Sequence, residues 1–455
     1  MNYLLKRNVS PTRIIALSFF AVILIGSLLL SLPVSTYTSV SYIDHLFTSV
    51  SATCVTGLVT VTVCDTYTLF GQIVILLMIQ IGGLGFLTLL SMFLVKFKKR
   101  LSYSNKMIMQ EALNQNSLND MSLYIQRVIK YTLLFEGIGA ILLLLVFIPK
   151  YGVITGIYYS VFHSISAFCN AGFDLLGSNS LIDYQSHLLM NMIITFLIIS
   201  GGLGFVVWIE LKDKIVKYIQ KKMSVRKVFI NLSLHSKIVL STTLLLIFGG
   251  MFLFLALEYN NTLKELSLFD KILVSYFQSV TTRTAGFASV DMSILKDSTK
   301  FIMCILMFIG GSPAGTAGGL KTVTIAIIIL SCISMVKGKQ KVSVFNRTIP
   351  DIIVKRTLTF ALISLFMTFV AIMILSISEN KEFIDVLFEV YSAFATVGLT
   401  ASLTPSLSLI GKIVIMILMY IGRIGPLTMM LLFVKKYNQL SGKEIEYPDG
   451  DVLIG

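Results

Sequence analysis

Phe394-Ala395-Thr396-Val397-Gly398-Leu399 is the stretch from which the fold of this 455-residue chain can be read. Three versions of it stand upstream: Thr53-Cys54-Val55-Thr56-Gly57-Leu58, Phe168-Cys169-Asn170-Ala171-Gly172-Phe173 and Thr282-Arg283-Thr284-Ala285-Gly286-Phe287. Their glycines lie 115, 114 and 112 residues apart, a period that a chance motif would not keep. Each version closes a short, half-apolar segment: 41–56, 155–170, 268–284 and 382–396. Each segment is flanked by long apolar runs, at 14–34, 69–95, 131–149, 185–209, 238–257, 301–336, 357–377 and 408–434. A membrane span takes about 20 apolar residues, so the long runs cross and the short segments re-enter. A second pattern recurs in the run after each motif: Gly82-Gly83-Leu84-Gly85-Phe86, Gly201-Gly202-Leu203-Gly204-Phe205, Gly310-Gly311 and Gly422-Arg423. The expected fold is an all-α polytopic membrane protein. Eight transmembrane helices form four membrane–pore–membrane repeats around one pseudo-fourfold pore, with boundaries at 1–100, 101–212, 213–340 and 341–455.

Composition agrees with a membrane setting. The chain is 55% hydrophobic and 13% charged, against roughly 25% charged in soluble domains. Its net charge of +14 would raise nucleic acid as a partner if it were spread evenly. It is not. Basic residues cluster at the N-terminus (Lys6, Arg7, Arg13) and in 96–130, 212–237, 337–356 and 435–443, whereas Asp174, Asp183, Asp291, Glu379 and Glu382 fall between. By the positive-inside rule the termini and basic loops are cytoplasmic, and nucleic acid is excluded. The run 14–34 is long enough to span and lacks a following small-residue cleavage site, so it reads as the first transmembrane helix. Cys54, Cys64, Cys169, Cys304 and Cys332 make no disulfide framework, and His45, His163, His187 and His235 are too scattered for a zinc site.

The motif itself predicts chemistry. A permeating cation must exchange water for other oxygens, and rings of backbone carbonyls supply them. Irregular backbone at membrane depth survives only where it lines a polar cavity, and glycine permits the required dihedrals. Thr396-Val397-Gly398 matches the start of the potassium-channel T-V-G-Y-G filter; Val55-Thr56-Gly57, Asn170-Ala171-Gly172 and Thr284-Ala285-Gly286 are degenerate copies. These twelve residues are the candidate potassium-binding site.

The run 301–336 is too long for one span, and its middle, Gly310-Gly311-Ser312-Pro313-Ala314-Gly315-Thr316-Ala317-Gly318-Gly319-Leu320-Lys321-Thr322, is full of helix breakers. Two half-helices joined by an irregular loop beneath the filter are expected. Gly310, Gly311, Ser312, Pro313, Gly315, Thr316, Gly318, Gly319 and Lys321 are candidate gate residues. No nucleotide site is expected in this chain: Leu320 replaces the glycine that a phosphate loop places before Lys321. Arg423 stands where the other repeats have Gly83, Gly202 and Gly311. A charge at membrane depth is a functional candidate, so Arg423 joins the gate, with Ser312 and Thr316 as expected partners. Arg283 and Glu389, in the re-entrant segments, are read as support behind the filter, with a pairing between them left open. Asp174 and Asp291 stand just outside the filters, where they concentrate cations or are simply solvated; Glu136 has no assigned role.

With its four filter motifs and the 310–322 segment, nearly the whole chain resembles the Trk/Ktr/HKT superfamily of potassium and sodium transporters, and within it the bacterial KtrB-type membrane subunit. The resemblance implies one pore per subunit, a homodimer, and a filter built on Gly57, Gly172, Gly286 and Gly398. Glycine rather than serine at position 57 implies potassium preference. It also implies an intramembrane gating loop, a cytosolic KtrA-type regulatory ring that binds ATP and ADP, sodium-dependent transport, and a bacterial plasma membrane location. The basic loops 96–130 and 212–237 would face that ring or anionic membrane lipid. Three other classes stand beside this one. They are the ion-binding subunit of a potassium-pumping P-type ATPase, a secondary cation transporter built on two inverted repeats, and an intramembrane enzyme. No nucleophile–base set supports the last.

Overall fold

Four long apolar helices form the outside of the molecule: α1 (Pro11–Leu30), α4 (Met121–Tyr151), α8 (Leu234–Glu258) and α12 (Asp351–Ser378). The computed structural model describes residues 11–85, 121–221 and 229–425. The N-terminal Lys6 and Arg7, most of the basic loop 96–130, part of 212–237 and the basic stretch 435–443 lie outside them. Each outer helix has a window long and apolar enough to cross a membrane. Their outward faces keep large apolar side chains exposed, such as Phe20 and Leu28, Leu133 and Ile141, Leu245 and Phe252, Leu362 and Phe369. An apolar exposed surface of this kind is satisfied by lipid tails.

Inside them stand four short helices, α2 (Tyr42–Cys54), α5 (Val153–Phe168), α9 (Leu268–Thr281) and α13 (Phe383–Ala395). Their patterning is inverted relative to the outer helices. Thr48, Ser49 and Ser51 of α2, Ser160, Ser164 and Ser166 of α5, Ser275 and Gln278 of α9, and Ser392 of α13 are all buried. At 13 to 16 residues, none reaches the roughly 20 needed to span.

The helices that follow the turns are α3 (Leu69–Leu84), α6 (Leu188–Gly202), the pair α10 (Asp297–Phe308) and α11 (Thr322–Val336), and α14 (Leu409–Ile424). Side-chain caps fix several starts: Thr68 accepts from Gly71 N, His187 from Met190 N and Ser408 from Gly411 N. Sequence reading expects one break, in the third of these runs; the chain leaves the helix in all four. Gly85 (φ 81°), Gly204 (φ 86°) and Gly425 (φ 100°) end α3, α6 and the last run. Beyond Gly204 the chain continues as α7 (Phe205–Lys221), bent 99° from α6, so 185–209 is not one straight helix. The physical reason is a glycine at positive φ, open to glycine and strained for other residues.

Packing closes on itself. Each following helix lies against the next short helix: α3 on α5, α6 on α9, α10 on α13, and α14 back on α2. Lys412 of α14 pairs with Asp44 of α2 at 2.6 Å, and Lys300 of α10 with Asp385 of α13 at 2.7 Å. At the same register Tyr158 of α5 donates to Gln72 of α3 at 2.9 Å.

Candidate functional site

The four short helices end alike. Val55, Asn170, Thr284 and Thr396 take left-handed backbone (φ 60°, 60°, 66° and 54°), and two residues later Gly57, Gly172, Gly286 and Gly398 are again at positive φ (95°, 68°, 78° and 100°). A side chain pays for such a turn, so the surroundings must over-determine it. Buried hydroxyls do so, and sequence reading missed them. Ser51 Oγ accepts from Gly57 N and Ser392 Oγ from Gly398 N, both at 3.1 Å. Ser166 Oγ donates to Phe173 O at 2.6 Å, and Thr281 Oγ1 to Phe287 O at 2.7 Å. Ser51, Ser166 and Ser392 each stand six residues before their glycine, a spacing visible in the chain.

The four turns meet in a ring. A Cβ added at Gly57 would lie 2.5 Å from Ala171 O and 3.2 Å from Gly172 Cα; at Gly172, 2.6 Å from Ala285 O and 3.0 Å from Gly286 Cα. At Gly286 it would strike Val397 O, and at Gly398 it would strike Thr56 O, 3.1 Å from Gly57 Cα. The circuit 57–172–286–398–57 therefore closes, with one carbonyl oxygen from each turn directed at a neighbouring glycine. Among the described residues the buried hydroxyls of Thr56 and Thr396 have no partner. A ring of backbone oxygens can substitute for the hydration shell of a monovalent cation.

The stretch 309–321 lies directly against this ring. α10 ends at Phe308, and the next residue, Ile309, bridges in parallel to Leu320, so the chain loops out and returns beside itself in the same direction before α11 begins. Ser312 N donates to Gly202 O at 2.9 Å, Phe205 N to Ala314 O at 3.1 Å, and Thr316 N to Gly201 O at 3.2 Å. The open end of α6 thus holds the loop. Thr316 Oγ1 lies 3.1 Å from Asn170 Oδ1, in the second turn, while Asn170 Nδ2 donates to Arg283 O at 3.2 Å. A Cβ at Gly318 would strike the Thr396 side chain, and Gly319 packs tightly on Ala395 with its backbone at φ 65°.

Arg423 donates to Thr316 O in the loop, and to Gly82 O at 2.6 Å and Gly83 O at 3.0 Å at the end of α3. Of its two expected partners it meets Thr316, through the carbonyl. Ser312 instead donates toward Gly202 O and Leu203 O. Lys321 Nζ donates to Ala317 O at 2.6 Å, within the loop. Pro313, Gly310, Gly311 and Gly315 all belong to it, Gly310 with its N donating to Leu320 O at 2.8 Å.

Arg283 and Glu389 are not brought together. Arg283 donates to Thr243 at 3.3 Å, and Glu389 accepts from Thr400 at 2.7 Å and from Thr404, tying down the chain after the fourth turn. Outside the spans, Asp174 accepts from Leu176 N at 3.1 Å. Burial pushes its carboxyl up to about 6, against the lowering effect of the Ser180 hydroxyl and that N–H.

Residues 7–444 match the family model TrkH, described as a cation transport protein. The chain is 41% identical to the potassium/sodium uptake protein NtpJ of Enterococcus hirae, over 99% of this chain and 98% of that one. It is also 41% identical to the Ktr system potassium uptake protein B of Bacillus subtilis, over 98% and 97% of the two chains. In fold it is similar to the potassium transporter TrkH from Vibrio parahaemolyticus, with a TM-score of 0.72 at 16% identity, covering 94% of this chain and 86% of that one.

Proposed function

The chain belongs to the TrkH family of cation transport proteins, and on that premise we propose that it is the pore-forming subunit of a Ktr-type uptake system. It is a multi-pass membrane protein that transports potassium, and the family's work is transport rather than catalysis. The observation that carries the mechanism is the closed ring of four glycines with the carbonyls of Thr56, Ala171, Ala285 and Val397.

In our reading the chain makes eight passes as four repeats (1–100, 101–212, 213–340 and 341–455) around one pore, with both termini and the basic loops in the cytoplasm. Potassium is the cargo. It gathers at an outer mouth carrying Asp174 and Asp291, sheds water onto the carbonyl ring, and meets the 309–321 loop below it. The loop and Arg423 form the gate. Two half-helices, α10 and α11, let the loop swing without disturbing the outer helices, and Arg423 holds it shut through Thr316 O. The system in which the relative from Bacillus subtilis is named component B implies a further component. We assign that partner to a cytosolic, nucleotide-binding ring acting on a homodimer of this chain, with sodium dependence of uptake. The bent α7 lies at the inner surface, its Lys212, Lys214 and Lys217 suited to anionic headgroups.

The test is potassium uptake in cells lacking their own uptake systems, with membrane levels matched, for the parent and Gly398→Ser. A serine at φ 100° with its Cβ against Thr56 O must displace one ring oxygen. Uptake by the parent that is lost, or shifted toward sodium, in the variant supports the reading. No uptake by the parent, even with a cytosolic regulatory subunit co-expressed, overturns it in favour of a pump subunit or secondary transporter.

A further inference from the structure

Glu136 is a carboxyl on α4, at the level of the second glycine turn, with 7% of its surface exposed. A charge-bearing group placed there is costly unless it does something. No described lysine or arginine forms an ion pair with it. Its neighbours are instead two polar side chains from different parts of the molecule. Gln80 of α3 donates to Oε2 at 3.4 Å, and Cys169 Sγ, the residue just before the left-handed Asn170, lies 3.9 Å from Oε1 and 3.7 Å from Gln80 Oε1. The helix carrying Glu136 is itself pinned, since Ser164 Oγ of α5 donates to Glu136 O at 2.7 Å. Gly139, one turn on, lies too close to Ser164 Oγ and Leu197 for any side chain.

The other side of the same α3 turn is the anchor of Arg423. Gln80 stands two and three residues before Gly82 and Gly83, whose carbonyls accept from the guanidinium. A Cβ at Gly83 would lie 2.6 Å from Cys169 Sγ, so this turn rests on the cysteine that Glu136 touches. One continuous chain of contacts therefore runs from the carboxyl through Gln80 and the last turn of α3 to the guanidinium and on to Thr316 O.

We propose that Glu136 is a positioning residue for the gate: through Gln80 and Cys169 it fixes the last turn of α3, and with it the carbonyls that hold Arg423 over the pore. The proposal rests on the assignment of Arg423 to the gate. Residues acting through one contact chain are non-additive, whereas independent sites add.

The experiment is potassium flux from proteoliposomes of the whole chain for Glu136→Leu, Glu136→Gln and Arg423→Ala, and for Glu136→Leu combined with Arg423→Ala. Gln80→Leu is the second variant, read in its place where Glu136→Leu does not yield folded protein. Glu136→Leu is expected to raise flux about twofold or more, the smallest coupling resolved between contacting residues. Glu136→Gln, which keeps the shape and one oxygen to accept from Gln80 while giving up the acceptor facing Cys169, should stay closer to the parental level than Glu136→Leu, and Glu136→Leu should add nothing once Arg423 is alanine. Unchanged flux in Glu136→Leu, or an effect that persists in full on the Arg423→Ala background, overturns the proposal. Unchanged flux in Arg423→Ala alone overturns the gate assignment instead, so the two failures are distinguishable.

Discussion

Replacing Arg423 by alanine is the sharpest test of the proposed gate. Of its three backbone acceptors, two (Gly82 O and Gly83 O) belong to the fixed end of α3 and only Thr316 O belongs to the 309–321 loop. That last bond is what the side chain contributes to holding the loop in place. A hydrogen bond to a charged group is worth about 1.5–3 kcal/mol. At about 2 kcal/mol, its loss shifts the closed-to-open ratio by roughly 30-fold. Removing the guanidinium charge acts in the same direction, because it repels a like-charged ion. Flux from proteoliposomes should rise at least tenfold on these magnitudes. Selectivity should not move, since the glycine ring does not include Arg423. Arg423→Gln separates the two contributions: it discards the charge but keeps a donor for Thr316 O, so an intermediate flux is expected. Flux within twofold of the parent in Arg423→Ala refutes the reasoning.

Other perturbations test other parts. Asp174 carries a carboxyl raised to about 6, so its charge is present above that pH and lost as the pH falls through it. Uptake from low external potassium should decline between about pH 7 and 5, a step absent in Asp174→Asn; a step that persists in the variant assigns it elsewhere. Lys412→Ala removes the cation from Asp44, whose side chain is 13% exposed and keeps the Ser41 hydroxyl as a donor, at a cost of about 1–3 kcal/mol; heating in detergent followed by size-exclusion chromatography should show a lower midpoint. Ser392→Ala leaves Gly398 N without its acceptor, a loss of about 1–3 kcal/mol, and should reduce potassium-over-sodium discrimination measured by competition. Gly201→Ala would drive a methyl into Phe168 O and to 2.7 Å from Thr316 Oγ1; little correctly folded protein should reach the membrane.

The ring was legible in the sequence because it is written as identity at a fixed period: four motifs, each ending in glycine. The break after α10 was legible for a similar reason, five glycines and a proline in one run. The breaks at Gly85, Gly204 and Gly425 were present in the text too, as the third glycine of Gly-Gly-x-Gly and as the glycine before Pro426. They were overlooked because the surrounding apolar run is long enough to read as a span. What could not be read was which polar groups meet. Arg283 and Glu389 are both charged and both on short helices, yet they face different neighbours, Thr243 and the Thr400–Thr404 segment. The partners of Arg423 are carbonyls, which every residue has, so no side-chain pattern marks them.

The contact of α14 with α2 sets an order in time. Lys412 and Asp44 are 368 residues apart in the chain. At about 5–20 residues per second, translation takes roughly 20–70 s to cross that interval. During it the first short helix sits in the bilayer with its Asp44 carboxylate uncovered and its glycine turn open on one side. Nascent protein is therefore most exposed to quality-control proteases just before the final helix arrives, and a chain stopped short of residue 409 would leave an open-sided groove rather than a smaller pore.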